Sequence, residues 1–526
     1  MKLTLYAALA TLVFALSAAA SAAAQDVLTW HNDNARTGQN LTERSLTLQN
    51  VNAKTFGKLF VIQVDGKVDA EPLYVHQLEI PNQGPRNVLF VATEHDSLYA
   101  LDADTGKEFW HIRLLGSEET SSDNRNCGQI TPEIGITATP VIDRRQDTIY
   151  VVAMSKDSQG RYRQRLHALN LQTGAEKFGG PVEIHAEFPG ANAFDPKQYA
   201  ERAALLLLNG AIYTTWTSHC DHNPYNGWII AYNARTLKQT AALNLTPNGE
   251  EGAIWQSGAG PASDPQGNMY VMVANGTFDT ALNSNGFPSR GDFGNSFVKI
   301  STSNERLSVA DYFTMFNVAA ENATDGDLGS GGPLVLPEMK DASGRTWRLV
   351  VGAGKDLNIY LANRVAMGKF NPRGNLDIYQ ELSQAMKHNF SRPIPAYFNG
   401  RLYYASTDDT LREFRFQNAR LLPEPASHTA SIFGYPGATP SVSANGSHDA
   451  ILWAVENVNF WANENAKPAV LHAYAATDLS RELYNSNQAP SGRDHFGIGN
   501  KFTTPMIANG KVYVGTTDGV AVFGLP

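Results

Sequence analysis

Cysteine is nearly absent from this chain of 526 residues: there are two, Cys127 and Cys220. That excludes a disulfide-dense scaffold, and no Cys-x-x-Cys-His run exists to attach a c-type haem. The pair either bridges in an oxidising compartment or remains two separate buried thiols. Charge is also sparse, with 18% charged residues and a net charge of −9. A basic footprint is lacking, so broad nucleic-acid binding is not expected. Long apolar runs are missing except at the start, and helical periodicity is hardly seen. No Gly-x-Ser-x-Gly elbow and no phosphate-binding loop occur.

What is present begins with a leader. Lys2 precedes an apolar stretch from Leu3 to Leu16, and small residues from Ser17 to Ala24 end in an Ala-x-Ala pattern before Gln25. This reads as a secretory signal peptide over residues 1–24. Its apolar part is short for a membrane span, so a periplasmic or secreted protein is expected, with residues 25–526 forming one domain.

The rest is a repeat. A small residue or Thr precedes Pro, then come a short apolar strand, a polar turn, a second strand with an aromatic residue, another turn and a third strand. Thr139-Pro140, Gly260-Pro261 and Thr504-Pro505 open clear copies. The chain holds 44 glycines and 26 prolines, as many short strands joined by turns require. Eight second strands are read at Val88–Ala92, Ile149–Ala153, Ala211–Thr215, Met269–Val273, Leu349–Gly352, Leu402–Ala405, Ile451–Val455 and Val512–Gly515. The fifth and seventh copies are the weakest. This recurrence predicts an all-β, eight-bladed β-propeller. The last copy lacks an outermost strand, and Lys58–Val64 has no blade of its own. The two are expected to pair and close the ring.

Ser97-Leu98-Tyr99-Ala100-Leu101-Asp102-Ala103-Asp104-Thr105-Gly106-Lys107-Glu108-Phe109-Trp110 resembles the repeat of the quinoprotein (pyrroloquinoline-quinone, PQQ) propellers. Leu166 to Gly174 is a second copy without the Trp. The chain also resembles secreted bacterial quinone-repeat propellers through Thr131–Thr137 and Gly329–Pro333. These repeat residues are architectural, and one fold hosts many functions.

The resemblance implies a PQQ-dependent oxidoreductase acting on an alcohol or sugar, with PQQ and Ca2+ as cofactors and a separate electron acceptor. It also implies site residues. Trp255, just before the fourth copy, is similar to the Trp that stacks on the quinone; otherwise it packs a blade. Asn275, in Ala-Asn-Gly, matches the metal-binding Asn; otherwise it makes a turn. Asp292, in Gly-Asp-Phe-Gly-Asn, stands near the place of the catalytic base and is counted with the metal ligands, although its spacing to the next strand differs. Lys355, in Gly-Lys-Asp-Leu-Asn-Ile-Tyr, matches the basic residue on the quinone oxygens.

Two departures stand out. The metal-ligating Glu of the third blade is missing, leaving Asp221 as the substitute, and the family's adjacent-Cys pair is missing too. Two other clusters, Glu94-His95-Asp96 and Asp325-Gly326-Asp327, are read as ordinary turns or as residues at the axis. The alternative to an enzyme is a non-catalytic secreted propeller that binds a ligand or a protein partner. A third reading is an axial-metal hydrolase or lyase using His219 and His222.

Overall fold

The computed structural model describes residues 26–387, 392–457 and 468–526; the expected leader lies outside them. Alternating and short apolar runs form antiparallel strands, and these assemble into eight blades around an axis. The first blade consists of Leu73–Ile80, Gly84–Ala92, Ser97–Asp102 and Glu108–Arg113, from the axis outward. All eight second strands lie where the repeat places them, for example Thr148–Asp157, Leu349–Ala353 and His448–Glu456. The weak fifth and seventh copies both form blades. Among the described residues the single α-helix is Val318–Ala323. No helix is long and apolar enough to cross a membrane.

Ring closure follows the expectation. Gly57–Gln63 pairs antiparallel with the final strand Gly519–Gly524, with Val61 opposite Ala521. Both ends of the propeller strand array are thereby joined in one sheet, which removes two open edges.

Neighbouring blades are fastened by a recurring contact. A Tyr on the second strand donates its hydroxyl to a carbonyl just past the third strand of the next blade. Tyr150 reaches Ala234 at 2.6 Å, Tyr403 reaches Ala476 at 2.6 Å, and Tyr513 reaches Ala103 at 3.0 Å. The last of these spans the closure. Trp110 of the repeat signature donates to the Leu171 carbonyl of the second blade at 3.0 Å. A buried aromatic with a satisfied polar tip adds both area and register.

The axis is filled by a segment that the repeat pattern does not reveal. Residues 27–40 touch the inner strand of every blade. Val27 pairs with Tyr74, and the carbonyls of Leu28, Asn34, Ala35, Thr37 and Gly38 accept from the amides of Ile142, Ser263, Val335, Tyr397 and Val442. Asn34 and Asn40 donate side-chain amides to Leu207 and Ile507, which covers the third and eighth blades. Arg36 sits in the middle, 1% exposed. Its guanidinium donates to Pro261 and Leu205 of two blades and to Thr29 and Trp30 of its own segment. Gly38 has φ +67°, and a Cβ there would meet the His31 ring at 2.2 Å, so the turn needs glycine.

Cys127 and Cys220 are joined, with Cα atoms 5.5 Å apart at a sequence separation of 93. The bridge ties the connector between the first two blades to a loop of the third.

Both constraints can be tested by substitution. Arg36→Met strands buried carbonyls without donors and should cost roughly 3–5 kcal/mol, read as a lower midpoint in denaturant or heat. An unchanged midpoint would mean the axial segment does not hold the ring. The double change Cys127→Ser with Cys220→Ser should lose about 4 kcal/mol in the chain-entropy view. Intact mass after alkylation should find no free thiol in the native protein.

Candidate functional site

In each blade the turns after the first and third strands lie on one face. The connectors between blades and the loops after the second strands lie on the other. On that second face these longer segments enclose a cavity of about 280 Å³. Its lining includes Trp255, Asn275, Lys355 and Asp221, brought from four separate loops. The Cys127–Cys220 bridge forms part of the wall. The connectors that line the cavity at Arg202, Arg392 and Phe502 go on to meet Trp30. Ala204 and Ile394 pack on its ring, and Thr504 accepts its indole N–H at 3.3 Å. The axial segment therefore closes the channel beneath the cavity.

One end of the cavity is acidic and polar. Lys355 Nζ lies 2.7 Å from Asp325 and 3.3 Å from Asp327. Asn275 donates to Asp325 at 3.0 Å and accepts from Asn295 at 3.3 Å. Gly354 allows this arrangement, because a Cβ there would lie 2.5 Å from the Leu328 Cα and push the two loops apart. Asp327 is 6% exposed, and its Oδ1 is buried with no hydrogen-bond partner. Burial raises its carboxyl above the usual range, although Lys355 acts the other way. Asp221 is exposed and accepts from the Tyr225 hydroxyl at 3.2 Å.

The other end is aromatic and basic. Trp255 meets Phe502 edge-on at 5.4 Å. The Arg392 guanidinium lies 5.2 Å over the Trp255 ring, and that of Arg202 lies 5.0 Å over Phe502. A flat ring flanked by cations suits a flat, electron-poor or anionic ligand.

The structure does not bring Asp292 into this lining. Asp292 is buried beneath the 245–250 loop, where its carboxylate accepts from the Asn248 amide at 2.9 Å. The next polar residue of the same segment, Asn295, is the one that reaches Asn275. His219 lines the cavity, but its Nε2 faces the Tyr199 carbonyl at 3.2 Å, and burial lowers its pKa to about 4. His222 is exposed and outside the lining. His95 pairs with Glu133 at 2.8 Å, also outside it.

The donor set tests which cofactors fit. For Ca2+, two of the expected ligands, Asn275 and Asp221, line the cavity, and the third, Asp292, does not. The Lys355 ammonium already lies between Asp325 and Asp327, and no group of three His, Cys, Asp or Glu suited to a metal is found among the described residues. A Ca2+ site of the expected composition does not fit. For a flat quinone, the Trp255 face, the Lys355 ammonium and the cationic side chains around one cavity do fit.

Arg202, Arg392, Phe502 and Asp327 were not singled out as separate site residues in the sequence. Three of them sit in irregular connectors just before inner strands, and the only signal for the fourth was an acidic, Gly-rich run.

Comparison with known proteins agrees with the fold. Residues 34–178 match the PQQ_2 family model, described as outer membrane protein assembly factor BamB. No curated protein matches the chain in sequence. Among solved structures, quinohemoprotein alcohol dehydrogenase from Comamonas testosteroni is similar, with TM-score 0.63 and 13% identity over 95% of this chain and 80% of that one. Quinohemoprotein alcohol dehydrogenase ADHIIG from Pseudomonas putida HK5 has TM-score 0.60 and 14% identity, over 95% and 80%. A europium-containing methanol dehydrogenase has TM-score 0.57 and 11% identity, over 95% and 98%. The identities are low, and the likeness is one of architecture. In fold, the chain is an eight-bladed β-propeller of the PQQ type, the architecture of the quinoprotein dehydrogenases.

Proposed function

We propose that the cavity binds a flat quinone cofactor of the pyrroloquinoline type, and that the protein is an exported oxidoreductase for a small alcohol or sugar. The observation that carries this reading is convergence. Trp255, Asn275 and Lys355 were singled out on separate segments, and all three line one cavity. The leader over residues 1–24 and the Cys127–Cys220 bridge support export to an oxidising compartment.

When bound, the quinone would supply the hydride acceptor. The chain's own groups do the rest. Trp255 offers a flat wall that orients a planar ligand. Lys355, fixed by two carboxylates, stabilises negative charge that develops near its ammonium. A proton must also leave the substrate hydroxyl. Asp292 is not at the cavity, and we assign this step to Asp327. One of its oxygens faces Lys355, the other is buried without a partner, and burial raises its affinity for a proton. Electrons would pass to a separate acceptor, since the chain has no haem-binding motif.

The second reading is a propeller that binds its ligand without chemistry. The position of Asp292 and the lack of a convergent Ca2+ set among the described residues favour it.

Dye-linked oxidation assays on protein mixed with PQQ separate the two. Turnover is expected with at least one alcohol or sugar. Lys355→Met and Asp327→Asn should each lower kcat by roughly 10²-fold, while Asp292→Asn should stay within a few-fold of the parent. Loss with Asp292→Asn and retention with Asp327→Asn would overturn the base assignment. No turnover with any substrate class, despite saturable PQQ binding, would leave the second reading.

A further inference from the structure

Asn295 ends the loop that joins the second strand of the fourth blade, Asn268–Met272, to the third, Ser296–Ser301. It is fully buried and lies outside the cavity lining. Its backbone is left-handed, with φ +51°, a conformation that asparagine adopts more readily than most residues. The end of the loop is strapped to its beginning. The Gly294 amide donates to the Thr277 carbonyl at 2.8 Å, and the Asn295 amide donates to that of Ala274 at 2.7 Å. A Cβ on Gly294 would lie 2.3 Å from the Gly276 carbonyl carbon, so the two limbs are in direct backbone contact.

From this base the Asn295 side chain reaches three other places. Its Nδ2 donates to Asn275 Oδ1 at 3.3 Å, to Asn322 Oδ1 at 3.0 Å and to the Gly326 carbonyl at 3.5 Å. Its Oδ1 accepts from the Leu328 amide at 2.8 Å. Asn322 belongs to the helix Val318–Ala323 and donates in turn to the Gly276 carbonyl at 2.8 Å. Gly326 and Leu328 are the two neighbours of Asp327, and Gly326 also adjoins Asp325. One side chain thereby fixes the backbone on both sides of Asp327. It also turns the Asn275 amide so that Nδ2 donates to Asp325 Oδ1, the same oxygen that receives Lys355. The Lys355 amide donates to the Asp327 carbonyl at 3.0 Å, so a shift of this loop carries Lys355 with it. Among side chains of this size, a carboxamide is the group that offers both the donors and the acceptor used here.

We propose that Asn295 is the positioning residue of the site: its amide sets Asp325 and Asp327 against Lys355, and holds Asn275 toward Asp325. Asn295 stands behind the cavity and acts only through these groups. Its part in turnover rests on the oxidoreductase reading above, whereas its hold on Lys355 does not. A misplacement of about 1 Å in such a constellation costs on the order of 10²-fold in rate.

Asn295→Asp tests the proposal. The variant keeps the shape, tolerates the left-handed backbone and retains the acceptor for Leu328. It sets a carboxylate oxygen against three acceptors. Turning the Asn275 amide relieves one of these contacts but puts the Asn275 oxygen against Asp325, so the grip on Lys355 loosens. The first readout needs no quinone. Lysines of the full mature chain are acetylated with an N-hydroxysuccinimide ester and followed by peptide mass spectrometry. Lys355 should label at least about fivefold faster than in the parent. Lys177 of the second blade, which donates to Thr148 at 2.7 Å, should keep the parental rate and reports any general loosening. Asn322→Ala removes one arm of the junction at a half-buried position and should speed Lys355 about two- to threefold. It keeps the test decisive if Asn295→Asp does not fold. Parental labelling of Lys355 in either folded variant, or equal acceleration of Lys177, would overturn the proposal.

The second readout is dye-linked turnover with PQQ. Asn295→Asp should lower kcat about tenfold while the Kd for PQQ stays within a few-fold, a split that general damage to the cavity would not give. A parental kcat would overturn the positioning role. If the parent itself shows no turnover, faster labelling of Lys355 leaves the clamp standing and ends the oxidoreductase reading, and parental labelling ends both.

Discussion

Eight sheets arranged around an axis leave eight inner strand edges facing one another across a channel, and the segment 27–40 satisfies them. Backbone groups on such edges need partners, since a buried amide or carbonyl without one costs as much as a lost hydrogen bond. The segment reaches every blade through carbonyls, backbone pairing at Val27 and at Gln39–Asn40, and two asparagine side chains. Arg36 suits the centre because its guanidinium offers donors in a rigid fork to carbonyls of two blades at once. The closing strand Gly57–Gln63 follows a few residues later, so one stretch of chain both fills the axis and locks the rim. The cavity depends on this arrangement. Its connectors are pinned on the Trp30 ring immediately below the residues that line it.

The cavity is polarised. At one end Asp325 and Asp327 grip Lys355, and at the other Arg202, Arg392 and Lys501 lie on aromatic faces. Keeping the two ends apart requires different devices. The acidic end is self-neutralising through close ion pairs. The basic end spreads its charge over ring faces, with the Asp69 carboxyl held low beside Arg202 and Lys67. The disulfide wall between the two ends joins two loops with left-handed residues, Arg125 and Asn126 on one side and Cys220 and Asp221 on the other. Such backbone is held in place by its surroundings, which here means the bridge and the cavity rim.

Most of the fold was legible in the sequence, because it is periodic. Short apolar second strands recur, most with an aromatic residue, Asn-Gly and Asp-x-x-Thr-Gly turns punctuate the copies, and the missing outer strand of the last copy points directly to 58–64. The axial segment was not legible. Its run His31-Asn32-Asp33-Asn34-Ala35-Arg36-Thr37-Gly38 has no alternation, and its contacts are made through carbonyls that any residue carries. The candidate site was legible in part. Trp255, Asn275, Lys355 and Asp221 line the cavity, and each is a sequence candidate on a segment between strands of the repeat. Asp292 lies in a short motif, Gly-Asp-Phe-Gly-Asn, whose spacing to the next strand differs from the resembled pattern. Its side chain faces the Asn248 amide instead of the cavity. Arg202, Arg392 and Lys501 lie in connectors with no pattern, so only three-dimensional placement assembles them.

The central claim is that one cavity over the plugged axis is the place where this propeller holds its ligand. A crystal structure of the mature chain grown with saturating PQQ tests it most directly. The account predicts a single quinone with its ring plane against Trp255 and an oxygen within hydrogen-bond reach of Lys355. A quinone seated on the opposite face, or a cavity still filled only by solvent at saturation, would contradict it.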